Sequence, residues 1–300
     1  MKLQLENIGI IKNATLQFNG LTVIAGENDT GKTTVGKALF SEIRQYKKVS
    51  SRFIFEEKLK PRKHFQPKSG IKFSPENHEV NFPIFIDTPD FLSKFNYLKN
   101  TLVLLQQDGL NFTTSIEVTD LILRISQPKV LTRSNKYFNN IKKIIHGEVF
   151  YDSSNDDIFY KKEGLSNKLE MTKTSSGIKM FGFFQILILN KSLTQGSVLI
   201  LDEPEVHLHP KWQLKYAQLI VSLVKEDIII LVNSHSPYMI EALKKYGTLA
   251  KINMNFYLAN LIGKQATIEE VTKNISPIFE QLSEPFETFD EMDSQVLQGG

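Results

Sequence analysis

Residues 26–33 read Gly-Glu-Asn-Asp-Thr-Gly-Lys-Thr, and this stretch decides the fold of the chain. It is a complete G-x-x-x-x-G-K-[ST] motif, a loop whose backbone N–H groups surround phosphate oxygens between a strand and a helix. The apolar, β-branched run 21–25 predicts the strand before the loop. The apolar spacing within 33–46 predicts the helix after it. We therefore expect an α/β fold with a phosphate-binding loop rather than a glycine turn without a nucleotide.

The motif predicts a role for individual residues of the loop. Gly26 and Gly31 let the backbone curl so that successive N–H groups point at phosphate oxygens. Lys32 supplies a positive charge at the β- and γ-phosphates, and the Thr33 hydroxyl is placed to ligate Mg²⁺. The remaining candidates for nucleotide contact are three polar residues of the same stretch: Asn28, Thr30 and Thr34.

Composition excludes several classes of protein. The chain has 300 residues, 41% hydrophobic and 23% charged, which is ordinary for a globular protein with a sizeable core. Because it contains no cysteine, disulfides, thiolate catalysis and Cys-zinc sites are excluded. The first residues carry no apolar signal core. The apolar stretch 180–189 is about half a membrane span, so we expect a buried helix, no membrane insertion and a cytoplasmic protein.

Charge is distributed unevenly along the chain, although the net charge is only +3. Basic residues dominate 44–72 and 129–143, whereas acidic residues dominate 269–293. Basic stretches of this kind are typical of nucleic-acid contact, and equally of a solvated surface. The sequence leaves these two interpretations open.

A second informative stretch is Val-Leu-Ile-Leu-Asp-Glu-Pro-Glu at 198–205. Four apolar residues followed by two acids predict a buried parallel strand that ends in carboxylates. Beside a phosphate loop, Asp202 would hold Mg²⁺ and Glu203 would polarise the attacking water. The alternative is an ordinary acidic turn at the end of a strand.

Two further elements surround the acidic pair in sequence order. Ser176 and Gly177 precede an apolar helix, where a hydroxyl, free N–H groups and the helix dipole form an anion site, or a plain N-cap. The apolar run 227–232 predicts another strand, which leads into Asn-Ser-His-Ser-Pro at 233–237. His235 at its tip could hydrogen-bond a γ-phosphate, or be a structural loop histidine.

The order of these four elements resembles the ABC-type ATPase family, and within it the branch of SMC proteins, RecF and OLD nucleases. The runs 202–210 and 233–237 are particularly similar to OLD-like ATPases, and the resemblance covers about 1–46 and 145–260. It implies an α/β ATPase head with a mixed sheet. N-terminal antiparallel strands would join a parallel core around the phosphate loop, with a small, mostly helical insertion.

The resemblance also implies roles for the site residues. ATP and Mg²⁺ would be the ligands, with Glu203 the catalytic base and His235 the switch histidine. Ser176 and Gly177 would contact the γ-phosphate of ATP held by a partner protomer. The segment 205–209 would cross the interface of that homodimer.

The chain departs from the family pattern at several positions. Ile178 and Lys179 replace the second glycine and the glutamine of the signature motif. No clear glutamine-loop residue is present, and Asp87 is a candidate by position only. His207 and His209, two residues apart, could form a metal pair if the segment were extended, or simply belong to the interface loop.

We expect residues 1–46 and 145–265 to form the head, 47–144 an insertion that includes a head strand near 80–87, and 266–300 an acidic C-terminal segment. The stretch 147–162 reads as a β-hairpin that leads back to the signature segment.

The expected function is ATP hydrolysis by an ATP-driven homodimer. It would gate a second protein, which could be an effector, toxin or nuclease, in a bacterial or phage-defence system. The alternatives are a DNA-repair ATPase that clamps DNA, which the basic stretches favour, and the nucleotide-binding subunit of a membrane transporter.

Overall fold

The computed structural model of the chain describes residues 1–50, 70–76, 80–107, 115–127, 129–130 and 135–283. Within these residues the chain forms eight α-helices, one 3₁₀ turn and twelve strands. The helices are α1 (Lys32–Ser50), α2 (Phe91–Gln107), α3 (Ile116–Ile125), α4 (Lys136–Ile145), α5 (Ser176–Leu189), α6 (Pro210–Val224), α7 (Pro237–Ala250) and α8 (276–283). Most of the basic stretch 44–72 and the end of the acidic segment lie outside the described residues.

The strands are β1 (Lys2–Ile8), β2 (Ile11–Gln17), β3 (Leu21–Ala25), β4 (Ile71–Ser74), β5 (Ile84–Ile86), β6 (Gly147–Asp152), β7 (Asp157–Lys162), β8 (Leu169–Glu170), β9 (Val198–Asp202), β10 (Ile229–Ser234), β11 (Met254–Ile262) and β12 (Gln265–Glu270). Nine of them form one mixed sheet in the order β4-β1-β2-β12-β11-β3-β10-β9-β5. The strands β6, β7 and β8 form a separate antiparallel sheet.

The half of the large sheet from β11 to β5 is entirely parallel. Parallel strands covered on both faces are continuous apolar runs, and every residue of β3 and β9 is buried. Along these strands the side chains alternate between two hydrophobic clusters, with Val23 in one and Ile24 in the other. The sheet is therefore the middle layer of the domain, with apolar packing on both faces.

Helix α5 is buried almost all round, as expected for an apolar helix without a polar face. Its Phe181 and Phe184 rings contact the ring of Tyr216 on α6 at centroid distances of 5.3 Å and 5.4 Å. The Gln185 side chain accepts from the Val149 N–H at 2.7 Å and donates to the Gly147 carbonyl at 3.2 Å. Through these contacts α5 joins α6 to the β6–β7 hairpin.

The expected fold class is confirmed, because antiparallel N-terminal strands β1 and β2 extend a parallel core that contains the phosphate-loop strand. The hairpin expected at 147–162 is also present as β6 and β7.

Some element boundaries differ from the sequence expectations. The strand expected at 80–86 is shorter, since β5 begins after Pro83, which has no N–H for a ladder. The boundary expected between the head and the acidic C-terminal segment, at residues 265 and 266, falls inside the large sheet. Strand β12 crosses this boundary and pairs with both β11 and β2. The head sheet therefore continues to Glu270.

Among the described residues, no helix is long and apolar enough to cross a membrane. Helix α5, the most apolar, has 14 residues, whereas a span needs about 20.

Candidate functional site

Three strand ends place the candidate residues at one edge of the sheet. The parallel registers align Ile24 of β3 with Asn233 of β10, and Asn233 with Asp202 of β9. The residues that follow the three strands are Gly26, His235 and Glu203. The carboxyl ends of parallel strands are where α/β folds bind their ligands. The phosphate loop, the acidic pair and the histidine, which are far apart in sequence, therefore meet here.

The phosphate loop leaves β3 through a glycine that no other residue could replace. Gly26 has a φ of +149°, and a Cβ at this position would lie 2.5 Å from the Ala259 carbonyl oxygen on β11. Further along, the buried Thr30 hydroxyl donates to the Glu27 carbonyl at 2.8 Å, while Asn28 is exposed. The other four candidates follow directly: Gly31 at the end of the loop, and Lys32, Thr33 and Thr34 in the first turn of α1.

Lys32 is buried within the phosphate loop, with only 4% of the residue exposed. Its Nζ donates to the carbonyls of Gly26 at 2.9 Å and Glu27 at 2.5 Å. Burial lowers the pKa of the ammonium group, and nearby carboxylates, Glu203 and Asp202 first, oppose this shift. The loop therefore places a desolvated cation among its own oxygens, a position from which it can bind phosphate.

The residues expected to hold Mg²⁺ contact each other. Thr33 Oγ1 donates to Asp202 Oδ2 at 2.7 Å, and the Asn233 side-chain amide donates to Asp202 Oδ1 at 2.7 Å. A hydroxyl and a carboxylate are the hard oxygen ligands that Mg²⁺ prefers, completed by water and substrate phosphates. Within the described residues no group of three or more His, Cys, Asp or Glu could hold a metal alone. The donor set at Thr33 and Asp202 thus fits Mg²⁺ bound together with a nucleotide.

Glu203 has an uncommon backbone conformation, with a φ of +48°. Non-glycine residues in this region are strained and are concentrated at functional sites. Its N–H donates to the Asn233 carbonyl at 2.9 Å, and its Oε1 lies 3.5 Å from His235 Nδ1. About a third of the Glu203 side chain is exposed (34%), so water can reach the carboxylate.

Two buried residues of the site were missed at the sequence level. Asn233, fully buried, donates to the Lys32 carbonyl at 3.0 Å as well as to Asp202, so it connects two strands and α1. Glu205 accepts hydrogen bonds from the segment that carries His235. Asn233 could have been found from the sequence, because it is a polar residue at the end of an apolar strand run. Glu205 was predicted only as part of the interface segment 205–209.

The two signature residues contact neighbouring parts of their own chain, Ser176 the segment 205–209 and Gly177 the helix α6. Ser176 Oγ donates to the His207 carbonyl at 2.7 Å. A Cβ on Gly177 would lie 2.8 Å from the Trp212 ring on α6, so only glycine permits this approach. Ser176 therefore has a role within its own protomer, which its position at a helix start did not reveal.

The departures from the family pattern have local explanations. Lys179 forms an ion pair with Asp90 at 3.3 Å, just before α2.

His209 is the N-cap of α6, with Nδ1 accepting from the Lys211 N–H at 3.3 Å, and His207 lies in a turn with a φ of +64°. The segment is not extended, so the geometry required for a His207–His209 metal pair is absent. Asp87 follows β5, whose Ile86 pairs with Leu201, which puts it beside Asp202 in sheet order.

The Asn233→Asp variant should be less stable than wild type by about 2–4 kcal/mol at neutral pH. It removes both amide donors and places a second carboxylate against Asp202, and like charges this close cannot both ionise cheaply. Urea denaturation measures the loss. Asn255→Asp is the matched control, because Asn255 donates to Gln17 and Asn19 in a partly exposed position. Equal stability of Asn233→Asp and wild type would contradict the role of Asn233.

A family model and a curated relative each match part of this chain. The family model described as "AAA domain, putative AbiEii toxin, Type IV TA system" matches residues 72–241, which include α5, β9 and β10. A curated relative, Septu protein PtuA of Bacillus thuringiensis, is 29% identical over 153 residues. The match covers 49% of this chain and 34% of the relative, so the chain spans about a third of that protein's length.

Solved structures share the fold at low sequence identity. An SMC head bound to the C-terminal winged-helix domain of ScpA has a TM-score of 0.52 and 14% identity, and the match covers 90% of this chain and 97% of that one. A Pyrococcus furiosus SMC head with an extended coiled coil has a TM-score of 0.51 and 13% identity, covering 97% and 98%. The SMC heads show the fold of this chain. Since the family model covers more than half of the chain, this chain belongs to the family described as "AAA domain, putative AbiEii toxin, Type IV TA system".

Proposed function

We propose that this chain hydrolyses ATP at composite sites formed between two copies of itself. The observation that carries the proposal is the junction of three strand ends, where Thr33 is hydrogen-bonded to Asp202 and Glu203 lies beside His235. A phosphate loop next to a metal-ligating acid and a solvent-accessible carboxylate is the arrangement that phosphoryl transfer requires.

The residues at the three strand ends each have a part in the proposed reaction. The loop N–H groups and Lys32 bind the phosphates, and Thr33 with Asp202 would hold Mg²⁺, which neutralises charge on the phosphate oxygens when bound. Glu203 accepts the proton of the water that attacks the γ-phosphate. His235, whose Nδ1 is 3.5 Å from Glu203 Oε1, donates a hydrogen bond to the γ-phosphate oxygens.

Completion of the site by a second copy rests on the start of α5. The helix N-terminus offers free N–H groups and its dipole to an anion, with the Ser176 hydroxyl beside them. The phosphate loop precedes a different helix, α1. In the proposed homodimer the start of α5 faces the γ-phosphate held by the partner's loop. The segment 205–209, hydrogen-bonded to Ser176, lies at the interface.

The proposed biological role is to gate a second protein, an effector, toxin or nuclease, in a bacterial or phage-defence system. The family description, which names a toxin of a type IV toxin–antitoxin system, and the similarity to Septu protein PtuA support this role. Co-purification of a second protein from the native host tests it. Direct DNA contact by the basic stretches 44–72 and 129–143 stays a prediction, for which salt-sensitive DNA binding is the measurement.

The Ser176→Arg variant tests the composite site. It should bind ATP with wild-type affinity, because its own phosphate loop is intact, yet fail to hydrolyse it. Mixed with Lys32→Ala, it should regain at most one working site per heterodimer, formed by the loop of the Ser176→Arg chain and the serine of the other chain. Turnover of the mixture, followed by phosphate release, measures the effect.

The matched control is Ser276→Arg, the same substitution at the exposed first residue of α8. It should hydrolyse ATP normally. Wild-type turnover by Ser176→Arg alone, or an ATP-bound protein that stays monomeric at high concentration, would refute the composite site.

A further inference from the structure

The segment that carries His235 is held by one buried carboxylate. Glu205 Oε1 accepts from the Ser234 hydroxyl at 2.7 Å, the His235 N–H at 2.8 Å and the Ser236 N–H at 3.2 Å. Only 4% of Glu205 is exposed. A carboxylate is suited to this task because it is an acceptor only, with lone pairs enough for several donors.

The same carboxylate links His235 to the proposed dimer interface. Ser236 Oγ donates to Gln213 Oε1 at 2.6 Å, and Gln213 Nε2 donates to the Leu208 carbonyl at 3.0 Å. Glu205 and Leu208 belong to the segment whose His207 carbonyl accepts from Ser176. These hydrogen bonds and the backbone of residues 207–208 therefore connect the signature serine to the segment of the switch histidine, through a path that is buried from Leu208 to Ser236 and exposed at Ser176.

Burying the Glu205 carboxylate costs desolvation free energy, which makes it a poor choice if its role is only to stabilise the fold. Its second oxygen, Oε2, is buried without a hydrogen-bond partner among the described residues. Burial raises the pKa of the Glu205 carboxyl, and the hydrogen bond from Ser234 opposes the shift. Buried acids with unsatisfied oxygens usually stabilise a fold less than an apolar side chain of the same size. The presence of a buried carboxylate at position 205 is better explained by a requirement of the site.

The position of the imidazole ring suggests what that requirement is. His235 Nδ1 lies 3.6 Å from Glu205 Oε1 and 3.5 Å from Glu203 Oε1, so the ring sits between the positioning carboxylate and the proposed catalytic one. Nδ1 is itself buried without a hydrogen bond in the described structure. The position of the ring is therefore set by the backbone of His235, and Glu205 holds that backbone through the His235 N–H.

We propose that Glu205 is the positioning residue of the switch histidine: it fixes the backbone of residues 234–236 by geometry and so sets His235 against the γ-phosphate. This inference rests on the proposed ATPase function and adds to it a residue that touches neither ATP nor the attacking water. It predicts that the rate of ATP hydrolysis depends on the shape of the side chain at position 205 and not on its charge.

Three variants at this position separate shape from charge. Glu205→Gln keeps the Oε1 acceptor in place and removes the charge; Glu205→Asp keeps the charge but retracts the oxygens by one methylene; Glu205→Ala removes the acceptor. We expect kcat for ATP within about 3-fold of wild type for Glu205→Gln, and about 10- to 100-fold lower for the other two, the scale of a misplaced catalytic group. KM should change little in all three, because the phosphate loop is untouched.

The control for a general loss of stability is Gln185→Ala, which removes two buried hydrogen bonds to the β6 backbone, away from the strand-end site. It should lower stability without lowering kcat. If Glu205→Ala does not fold, the test is the comparison of kcat between Glu205→Asp and Glu205→Gln.

Amide hydrogen exchange provides a readout that does not require turnover. The amides of His235 and Ser236 should lose protection in Glu205→Ala and Glu205→Asp but keep it in Glu205→Gln and Gln185→Ala. A wild-type chain without ATPase activity would refute the proposed function and leave this measurement to decide whether Glu205 fixes the segment. Unchanged protection in Glu205→Asp, or a Glu205→Gln variant as slow as Glu205→Ala, would overturn the positioning role.

Discussion

Replacement of Glu203 by Gln should slow ATP hydrolysis by about 10²- to 10⁴-fold while ATP stays bound. The amide cannot accept the proton of the attacking water, but it has nearly the same shape as the carboxylate. Lys32, Thr33 and Asp202 are unchanged, so the phosphates and Mg²⁺ should bind as before. Single-turnover hydrolysis measures the chemical step directly.

The same variant should accumulate in the ATP-bound dimer, because the dimer is expected to separate only after hydrolysis. Size exclusion with ATP and Mg²⁺ should show the dimer for Glu203→Gln and a mixture for wild type. Glu241→Gln on α7 is the matched control, since Glu241 pairs with Lys245 on the surface. Wild-type turnover in Glu203→Gln would mean that another residue activates the water.

The Lys32→Ala variant should lose ATP binding, by roughly 100-fold or more in affinity, the scale of charge-assisted bonds to two phosphates. Lys32 is the buried cation of the loop, and its Nζ is already directed at the loop oxygens of Gly26 and Glu27. Calorimetric titration with ATP measures the affinity.

Lys37→Ala is the matched control, because Lys37 is an exposed lysine one turn further along α1. It should bind ATP as wild type does. Thermal melting should show that both variants are folded. An unchanged ATP affinity in Lys32→Ala would remove the phosphate loop from the proposed site, and with it the assignment of the strand-end junction as a nucleotide site.

The strands of the parallel core were predictable because both of their faces are covered. β3, β9 and β10 are short apolar runs, and the loop motif and the Asp-Glu pair mark where two of them end. By contrast, β4 was not predicted: it is a short edge strand of alternating exposure with a weak apolar pattern, paired with β1 across a long stretch of chain. Local pattern carries no information about such distant pairing.

The sequence by itself predicted which residues form the candidate site. The motif 26–33, the acids Asp202 and Glu203, and His235 each follow an apolar run, and their order along the chain resembles that of ABC-type ATPases. These are local signals, because each residue's function depends on its type and on the strand or helix beside it.

Only the tertiary structure decided how these elements act on one another. The register of β10 between β3 and β9 brings Asn233 to Asp202, and the turn after β9 brings Glu205 under the backbone of His235. The contact of Ser176 with the His207 carbonyl likewise joins residues 31 positions apart. Such contacts depend on strand order and on side chains that meet after the chain has packed, and a buried polar group finds its partner only there.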